Sequence, residues 1–482
     1  MSDAEYDVIV LGGGPAGENA AAYAIANSDR TAAIVERELL GGECSYWACI
    51  PSKALLRPGA VAELGRAMPG VTVSGPQMAD VLARRDEFIH HRDDSGQVDW
   101  AKSAGIDPVR GTGRIAGERL VEVTTDNGVR VLRARHAVVL ATGTTAAMPD
   151  IPGVREALPW TSRDATNLTV VPRRVAVIGG GVVACEAATW LAELGAAEVT
   201  MLVRGDRLLP RAEPFAADMV LRGLRETGAV TVRLHTEPRL VSRRDPRDTG
   251  IGRIHGGPVT LVLDDGELEV DELLVATGRA PATTDLGLAA VGLKPGYLEV
   301  DDQLTVRGVP GDWLYAVGDV NHRAALTHMG KYQARVCGDV IAARAQGRRL
   351  DSTRCTASAD HQQVPQVVYT APELASIGLT EQQARGDGHA VGTVELDIAV
   401  AGSALSRDGF TGRAKLVVDT ASERLLGATF VGPEMGEQLH AATIAVVGQV
   451  PLDTLWHAVP AFPAVSEFWL RLLEAWREQR AT

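Results

Sequence analysis

Two cysteines near the N-terminus stand at a spacing that suits redox chemistry. Cys44 and Cys49 lie five positions apart in the segment Gly41-GECSYWACIPSK. Five residues of regular helix rise about 7.5 Å, whereas the Cα atoms of a disulfide are seldom more than ~7 Å apart. A disulfide therefore requires Cys44 in a loop, which Gly41 and Gly42 favour, and Cys49 near the start of a helix. No second Cys or His pair has the spacing of a zinc site. A redox pair and two buried thiols remain as alternatives.

The first of two glycine clusters follows a β-branched apolar run and precedes an Ala-rich segment of helical period. Its pattern is Gly12-x-Gly14-x-x-Gly17. Such a cluster allows a tight turn, close approach of the backbone to a pyrophosphate and close packing of helix on strand. Glu36 ends the next apolar run, where a carboxylate can bind ribose hydroxyls. A bare turn is the alternative, but strand, helix and acid together predict a dinucleotide site.

The second cluster opens another strand–turn–helix unit of the same kind. Its pattern is Gly179-x-Gly181-x-x-Ala184. Val203 occupies the position of the ribose-binding acid in the following strand, and Arg204 and Arg207 come after it. An arginine in place of the acid accommodates a 2′-phosphate, so we expect NADPH rather than NADH. A solvated arginine pair at a strand end is the alternative.

Two further segments repeat each other and extend this plan. Ala137-VVLATG and Leu273-LVATG each run from an apolar strand into Ala-Thr-Gly, and a Pro-bearing loop follows each. Beyond about residue 355 the pattern changes to strands of a mixed sheet, with an amphipathic helix at the end. The predicted fold class is therefore α/β, with two Rossmann-like nucleotide-binding domains and a C-terminal α+β domain.

Composition excludes several classes of function. The chain has 482 residues, of which 45% are hydrophobic and 23% charged, as in ordinary globular proteins. The net charge of −13 and the low aromatic content of 4% disfavour nucleic-acid binding. No apolar run approaches the ~20 residues of a membrane helix, and the N-terminal residues lack the basic region of a signal peptide. With only five cysteines, we expect a cytoplasmic protein in which a disulfide is more often catalytic than structural.

Eight motifs occur in one order along the chain and carry a family resemblance. They are Gly12-GGPAG, Gly41-GECSYWACIPSK, Ala141-TG, Gly179-GGVVACE, Ala276-TGR, Tyr315-AVGD, Val368-YTAPELASIGLTE and Pro463-AVSE. The chain resembles, over essentially its whole length, the FAD-dependent pyridine nucleotide–disulfide oxidoreductases. That group contains dihydrolipoamide dehydrogenase, glutathione reductase and mercuric reductase.

The resemblance implies roles for individual residues. Cys49 would face the flavin as the charge-transfer thiol, and Cys44 would attack the substrate. Lys53 and Glu186 would form an ion pair beside the isoalloxazine, and Glu467 belongs to the C-terminal catalytic loop. The expected FAD-binding residues are Gly12, Gly14, Gly17, Glu36, Gly42, Lys53, Thr142, Gly143 and Asp319. The expected NADPH-binding residues are Gly179, Gly181, Ala184, Val203, Arg204, Arg207 and Gly278. No resident metal is expected.

The resemblance also implies the domain plan and the assembly. A split flavin domain would cover residues 1–155 and 280–352, and an NADPH domain would cover 156–279. An interface domain, 353–482, would make a homodimer and place its last loop in the partner's active site.

The C-terminal loop departs from the family pattern. Family members have His-Pro-Thr-x-x-Glu or close to it, and the His is the acid–base group for the substrate-facing thiol. Counted back from Glu467, the position of that His is occupied by Phe462. Phenylalanine carries no proton, and general acid–base catalysis is typically worth ~10²–10⁴-fold. We therefore expect impaired disulfide reduction; His457 is a candidate substitute, with an ordinary surface or core histidine as the alternative.

Two more departures concern the acceptor. Tyr46 and Trp47 lie between the cysteines, where they could narrow the approach of a bulky disulfide, stack on a flat acceptor or simply pack. Mercuric reductases also lack the His but carry a C-terminal cysteine pair, whereas the last cysteine here is Cys355. Mercury transfer by that route is therefore not supported. The three remaining cysteines are expected to pack as small hydrophobes: Cys185, Cys337 and Cys355.

These observations predict an enzyme that passes electrons from NADPH through FAD and the Cys44–Cys49 pair to a small acceptor. A quinone, a metal ion or another small electrophile needs little proton transfer at the thiol. The alternatives are a dihydrolipoamide dehydrogenase or low-molecular-weight disulfide reductase that uses another proton donor, and a flavin-bearing redox sensor that turns over slowly.

Overall fold

The computed structural model describes residues 4–481 and has a mixed α/β structure. Its strands are β1 (Ala4–Leu11), β2 (Ala32–Glu36), β3 (Ile106–Arg110), β4 (Thr112–Gly117), β5 (Leu120–Thr125), β6 (Gly128–Leu140), β7 (Thr144–Ala146), β8 (Arg174–Ile178), β9 (Glu198–Val203), β10 (Val230–Leu234), β11 (Leu240–Arg243), β12 (Val259–Leu263), β13 (Gly266–Val270), β14 (Glu272–Val275), β15 (Arg279–Pro281), β16 (Leu314–Ala316), β17 (Gln366–Val368), β18 (Glu373–Gly378), β19 (Val391–Asp397), β20 (Arg413–Asp419) and β21 (Arg424–Gly432). Its α-helices are α1 (Pro15–Ile25), α2 (Gly42–Tyr46), α3 (Cys49–Arg66), α4 (Met78–Phe88), α5 (Ser95–Ser103), α6 (Ser162–Thr166), α7 (Val182–Glu193), α8 (Pro214–Glu226), α9 (Thr327–Ala345), α10 (Glu381–Gly386), α11 (Ala401–Ser406), α12 (Met435–Val447), α13 (Leu452–Leu455) and α14 (Phe468–Ala481).

The chain divides into two compact units. The first contains Asp86–Ala147 and Arg279–His361 together with the N-terminal segment that ends at Pro51. The second contains Ser52–Arg85 and Met148–Gly278 together with the C-terminal segment that begins at Gln362.

The first unit is built on a seven-stranded sheet. Its strand order is β3-β2-β1-β6-β5-β4, and β16 also pairs with β6. The strands β3, β2, β1, β6 and β16 are parallel, while β4 and β5 join as antiparallel neighbours. Val8 and Val10 of β1 pack into one core and Ile9 and Leu11 into another. A strand that is buried on both faces explains why this apolar run does not alternate with polar residues.

The second unit contains three sheets. A parallel sheet of order β10-β9-β8-β14 carries the second glycine cluster at the end of β8, and α7 follows it. An antiparallel sheet, β11-β12-β13, accompanies it. The C-terminal part is a five-stranded antiparallel sheet, β17-β18-β21-β20-β19, which shares a core with residues of α12 and α14.

This architecture confirms the predicted fold class. The predicted domain boundaries remain a prediction, and residues 1–3 and 482 of those ranges lie outside the described residues. Within residues 4–481, the structure has no helix that is long and apolar enough to span a membrane.

Candidate active site

The structure brings Cys44 and Cys49 together as two free thiols that share a side-chain hydrogen bond. Cys49 is the first residue of α3, as the disulfide argument requires. Cys44, however, lies in the short helix α2 and not in a loop. Cys44 and Cys49 lie in two separate helices, α2 and α3. The rise along a single regular helix therefore does not set the distance between them. Gly41, at φ +108°, supplies the left-handed turn from which α2 begins.

The two sulfur atoms have different surroundings. The hydrogen bond with Cys49, together with burial, raises the pKa of the Cys44 thiol well above its ordinary value. Cys49 Sγ lies 3.2 Å from Oγ1 of Thr327, the first residue of α9. Both cysteines are half-buried, so each keeps access to solvent. A proton therefore stays on Cys44 unless another group removes it.

The two aromatic residues between the cysteines are packing residues. Tyr46 is buried, and its hydroxyl donates to the Leu40 carbonyl at 3.0 Å. Trp47 is also buried, packs with Ile89 and lies under the Arg92 guanidinium at 5.6 Å from the ring centroid. Tyr46 and Trp47 could narrow the approach of a disulfide, stack on an acceptor or pack; their burial corresponds to packing.

The first glycine cluster forms a cradle of bare backbone. Gly12 has φ +104°, and a Cβ there would lie 2.3 Å from the Ala141 carbonyl oxygen. A Cβ on Gly17 would lie 1.9 Å from the Gly12 oxygen, so α1 packs directly on the turn. For Gly14 the nearest atom to an added Cβ is the Gly42 Cα at 3.9 Å. Only glycine satisfies the first two positions, and the N-terminus of α1 then offers free N–H groups to a phosphate.

Other residues expected at FAD lie around this cradle. The Glu36 carboxylate accepts hydrogen bonds from the N–H groups of Gly13 at 2.7 Å and Glu38 at 2.8 Å. The Thr142 hydroxyl oxygen is buried and has no hydrogen-bond partner among the described residues. A bare cradle, a positioned carboxylate and an unpartnered hydroxyl fit a dinucleotide that the family resemblance identifies as FAD. Gly143, at φ +66°, follows this threonine.

Asp319 lies in a polar cluster of the same unit. Its carboxylate accepts a hydrogen bond from the Thr144 hydroxyl at 2.8 Å, and Arg279 Nε lies 4.0 Å away. Arg279 also donates to the Thr144 carbonyl at 2.6 Å, alongside the β7–β15 pairing. The sequence motif Ala276-TGR contains Arg279, but this anchoring contact could not be read from it.

The second cluster repeats the geometry of the first. Gly179 has φ +134°, and a Cβ there would lie 2.3 Å from the Ala276 oxygen, whereas a Cβ on Gly181 would meet open space among the described residues. A Cβ on Gly180 would lie 2.8 Å from Val203 Cγ1. This contact corresponds to that of Gly13 with Glu36 in the first unit, where the separation is 3.1 Å. Ala184 is fully buried in α7, and Gly278 has φ +131°.

The two candidate arginines lie just beyond β9. The Arg204 side chain is 83% exposed, and its guanidinium lies 3.9 Å from the Glu237 carboxylate. Arg207 is half-buried, and its Nε has no hydrogen-bond partner among the described residues. Both side chains therefore remain able to accept a phosphate.

Lys53 and Glu186 form an ion pair at 2.7 Å within the second unit. The Glu186 side chain is 5% exposed and also accepts from the Tyr369 N–H at 3.0 Å. Lys53 Nζ lies 4.8 Å from the centroid of the Tyr369 ring. Tyr369 lies within the motif Val368-YTAPELASIGLTE, but its contacts with this ion pair could not be predicted from the motif.

The C-terminal segment presents a phenylalanine to solvent. Phe462 is 76% exposed. Glu467 has a buried Oε2 without a hydrogen-bond partner among the described residues, and its other oxygen lies 3.9 Å from Arg471. His457 is exposed, just after α13.

The remaining cysteines lie in the protein interior. Cys185, Cys337 and Cys355 are at most 4% exposed, and burial raises the pKa of each thiol. They pack as small apolar residues, as expected. Among the described residues, no group of three or more His, Cys, Asp and Glu side chains could hold a metal ion.

Comparisons with known proteins agree with this geometry. The sequence model of the pyridine nucleotide–disulphide oxidoreductases matches residues 6–347, and that of their dimerisation domain matches 364–472. Mercuric reductase of Staphylococcus aureus is 30% identical over 481 residues, which cover 96% of this chain and 81% of that protein. Dihydrolipoyl dehydrogenase of Synechocystis sp. is 31% identical over 491 residues, which cover 96% of this chain and 97% of that protein.

A solved structure also matches. It is the Cu(II) complex of the HOCl-induced flavoprotein disulfide reductase RclA from Escherichia coli, with a TM-score of 0.83 and 24% identity. The match covers 98% of this chain and 100% of that one, and the likeness concerns the fold.

The chain belongs to the pyridine nucleotide–disulphide oxidoreductase family. It is a flavin-dependent oxidoreductase of the class that binds FAD and a pyridine nucleotide, which confirms the predicted family and enzyme class. The dimerisation domain supports the predicted homodimer.

Proposed function

We propose that this enzyme uses NADPH to reduce a small thiophilic electrophile at the Cys44–Cys49 pair, with a metal ion as the leading substrate class and a quinone as the next. The observation that carries the proposal is the combination of two contacting, half-buried thiols with Phe462 in place of the family's histidine. Reduction of a metal ion or a quinone releases no thiolate, so no acid is needed at that position to protonate a leaving sulfur, and the protons of a hydroquinone can come from solvent. Two relatives that are 30% and 33% identical are named mercuric reductase, which supports the same class of substrate.

The chain's own residues divide the work. Gly12, Gly14 and Gly17 admit the pyrophosphate of FAD, and Glu36 takes the ribose hydroxyls. FAD, when bound, supplies a two-electron carrier between a nicotinamide and the cysteine pair. We assign Asp319 to the flavin end of FAD. The other FAD-site residues predicted from the sequence are proposed to contact FAD as well.

The cysteines then act in sequence on the acceptor. Cys44 bonds to the electrophile through its sulfur. The Cys49 thiolate, held by Thr327, then attacks Cys44 Sγ, the bond from that sulfur to the electrophile breaks, and its electron pair stays on the electrophile, which leaves reduced by two electrons. The Lys53–Glu186 ion pair keeps, in this proposal, the role that the family resemblance implies. We also propose that the enzyme is a homodimer in which the C-terminal segment of one subunit reaches the cysteine pair of the other, as the family resemblance implies.

The pyridine nucleotide is proposed to be NADPH. Val203 offers no carboxylate to a ribose hydroxyl, and Arg204 and Arg207 are available to a 2′-phosphate. A charge-assisted hydrogen bond from arginine to phosphate is roughly twice as strong as a neutral one.

The test is a steady-state screen of NADPH oxidation by the purified holoenzyme. Acceptors are Hg²⁺, Cu²⁺, a benzoquinone, lipoamide and glutathione disulfide, each with wild type, Cys44→Ser and the buried-cysteine control Cys355→Ser. We expect turnover with metal ions or the quinone, which Cys44→Ser abolishes and Cys355→Ser leaves unchanged; turnover that survives in Cys44→Ser would contradict reduction at the cysteine pair. Fast reduction of the two disulfides with slow reduction of the rest identifies the disulfide-reductase alternative. A single reduction of the flavin without turnover identifies the redox sensor.

A further inference from the structure

A carboxyl group without a partner lies in the first turns of α1. Glu18 is half-buried, and its Oε1 is shielded from solvent with no hydrogen-bond partner among the described residues. Burial raises the pKa of Glu18 to about 7, and the positive charge of Lys331 opposes that rise. An acid that titrates near neutral pH is suited to take up and release a proton under working conditions.

Glu18 lies one helical turn beyond Gly14, the residue of the α1 N-terminus that approaches α2. Its N–H donates to the Gly14 carbonyl at 3.0 Å. A Cβ on Gly42, the first residue of α2, would lie 2.7 Å from the Gly14 Cα. Cys44 is two residues further along α2, and the charge of Glu18 acts on Tyr46 in the same helix.

Helix α9 contacts both α1 and the cysteine pair. A Cβ on Gly330 of α9 would lie 3.4 Å from the Ala16 Cβ of α1. Lys331 is the next residue and is exposed at the surface. One turn earlier in α9, Thr327 contacts Cys49. The helices α1, α2 and α9 thus converge on the cysteine pair.

The positive charge of Lys331 acts on two acids of this unit. Its positive charge lowers the pKa of both Glu18 and Cys44. If a proton moves from the thiol to the carboxylate, one negative charge remains beside Lys331 before and after the transfer. The transfer therefore costs less electrostatic energy than creating a thiolate without a nearby cation. Because the pKa of Cys44 is higher than that of Glu18, the transfer is completed only as the sulfur bonds to the electrophile.

Among the described residues, Lys331 is the cation whose charge acts on Glu18. The negative charges of Asp93 and Asp94, like that of Glu18, raise the pKa of the Tyr46 hydroxyl. Behind α1, the strands β1, β2 and β6 contribute apolar core residues.

We propose that Glu18 takes up the proton that Cys44 loses when its sulfur bonds to an electrophile, with Lys331 as the counter-ion common to both. This inference rests on the proposed function of Cys44 as the substrate-facing nucleophile. The Cys44 S–H bond breaks, its electron pair forms the bond from sulfur to the electrophile, and the proton ends on the Glu18 carboxylate. Among the described residues no direct hydrogen bond joins Glu18 to Cys44, so the proposed transfer runs through one bridging water.

The test measures the nucleophilicity of Cys44 independently of turnover. Holoenzyme reduced with a phosphine is alkylated by iodoacetamide across a pH series, and fragment-ion mass spectrometry quantifies the Cys44 adduct. The variants are Glu18→Gln, Glu18→Asp and Lys331→Met. Two exposed residues of the same unit supply matched controls, Glu118→Gln and Lys102→Met.

In wild type, the alkylation rate should rise through an inflection near pH 7, the pKa of Glu18 (about 7). Glu18→Gln should remove that inflection and lower the rate at neutral pH ~10-fold, a modest share of what a general base supplies. Glu18→Asp should retain an inflection. Lys331→Met should shift the ionisation of Cys44 upward by about one pH unit, which is ~10-fold in rate at neutral pH.

The controls should coincide with wild type. A Glu18→Gln profile that coincides with wild type overturns the proposal, and so does a Lys331→Met profile that does not shift. Lys331 is exposed, so its variant tests the idea even if the Glu18 variant folds poorly. If the alkylation profiles behave as expected while no electrophile is reduced, the proposed function fails and the proton assignment survives.

Discussion

Replacing Phe462 by histidine should restore the acid–base group that the family places in its C-terminal loop. The phenylalanine is 76% exposed, so the change removes little packing. Glu467, five residues on, keeps a buried Oε2 without a hydrogen-bond partner among the described residues. Because the family pattern places its histidine five residues before this glutamate, we expect the Glu467 carboxylate to orient an imidazole at position 462 and to support its protonated form.

The expected gain follows from what a disulfide substrate requires. When Cys44 attacks a disulfide, the leaving thiolate must be protonated, and a free thiol has a pKa of about 8.5. General acid–base help is worth ~10²–10⁴-fold. We expect the lower end, ~10²-fold in kcat/KM at neutral pH, because the side chain at position 462 is exposed and not fixed by packing. Reduction of a metal ion or quinone should not change, since neither leaves a thiolate.

The assay is NADPH oxidation with glutathione disulfide and lipoamide across a pH series. Wild type, Phe462→His, Phe462→Gln and the double variant Phe462→His with Glu467→Gln are compared. Wild-type disulfide turnover should be slow and rise with pH as Cys44 ionises, whereas Phe462→His should be faster and less dependent on pH. Phe462→Gln should resemble wild type, because an amide does not exchange the proton.

Two results would refute this reasoning. Fast disulfide turnover by wild type at neutral pH would mean that another group, such as His457, already protonates the leaving thiolate. Equal rates for Phe462→His and Phe462→Gln would mean that position 462 does not reach the reacting sulfur.

Three further changes test other parts of the molecule. Arg204→Ala should raise KM for NADPH ~10-fold and leave NADH use unchanged, since an arginine–phosphate hydrogen bond is worth about 1.5–3 kcal/mol before its exposure is considered; equal losses with both nucleotides would contradict the NADPH assignment. Thr327→Val should remove the 3.2 Å contact with Cys49 and shift the pH at which the charge-transfer absorbance of the reduced holoenzyme develops upward by about one unit. Burial raises the pKa of Glu193 from 4.5 to about 8, so stability is lost as pH rises through that window, where the carboxyl ionises in the unfolded chain but not in the folded one. Glu193→Gln should therefore stabilise the protein by about 2 kcal/mol at neutral pH and leave it unchanged below the lower pKa, as a urea midpoint measured at both pH values would show.

Features that depend on local backbone sterics could be predicted from the sequence. Gly12 and Gly179 each hold a positive φ beside a carbonyl oxygen that a Cβ would strike at 2.3 Å. A requirement of this kind is set by the residue itself and the turn around it, so the glycine pattern reports it directly. The apolar runs of β1 and β8 likewise predicted strands, and their lack of alternation fits the parallel sheets in which both strands are buried.

Contacts between distant residues could not be predicted from spacing. Thr327 meets Cys49 across 278 positions, and Lys53 meets Glu186 across 133. The second pair was expected only because the family resemblance implies it. The placement of Cys44 in a helix was missed for a different reason, since a one-turn helix such as α2 is too short to show periodicity.

The chain separates two proton transfers that the family histidine performs with one side chain. Deprotonation of Cys44 is needed for every electrophile that bonds to its sulfur, and Glu18 with Lys331 serves that step from within the same unit. Protonation of a leaving thiolate is needed only for disulfides, and Phe462 cannot serve it. Variants of Glu18 should therefore slow the reduction of metal ions and of disulfides alike, whereas variants of Phe462 should change the rate of disulfide reduction alone. This difference between the two sets of variants follows from the positions of the groups and does not depend on which electrophile the enzyme reduces.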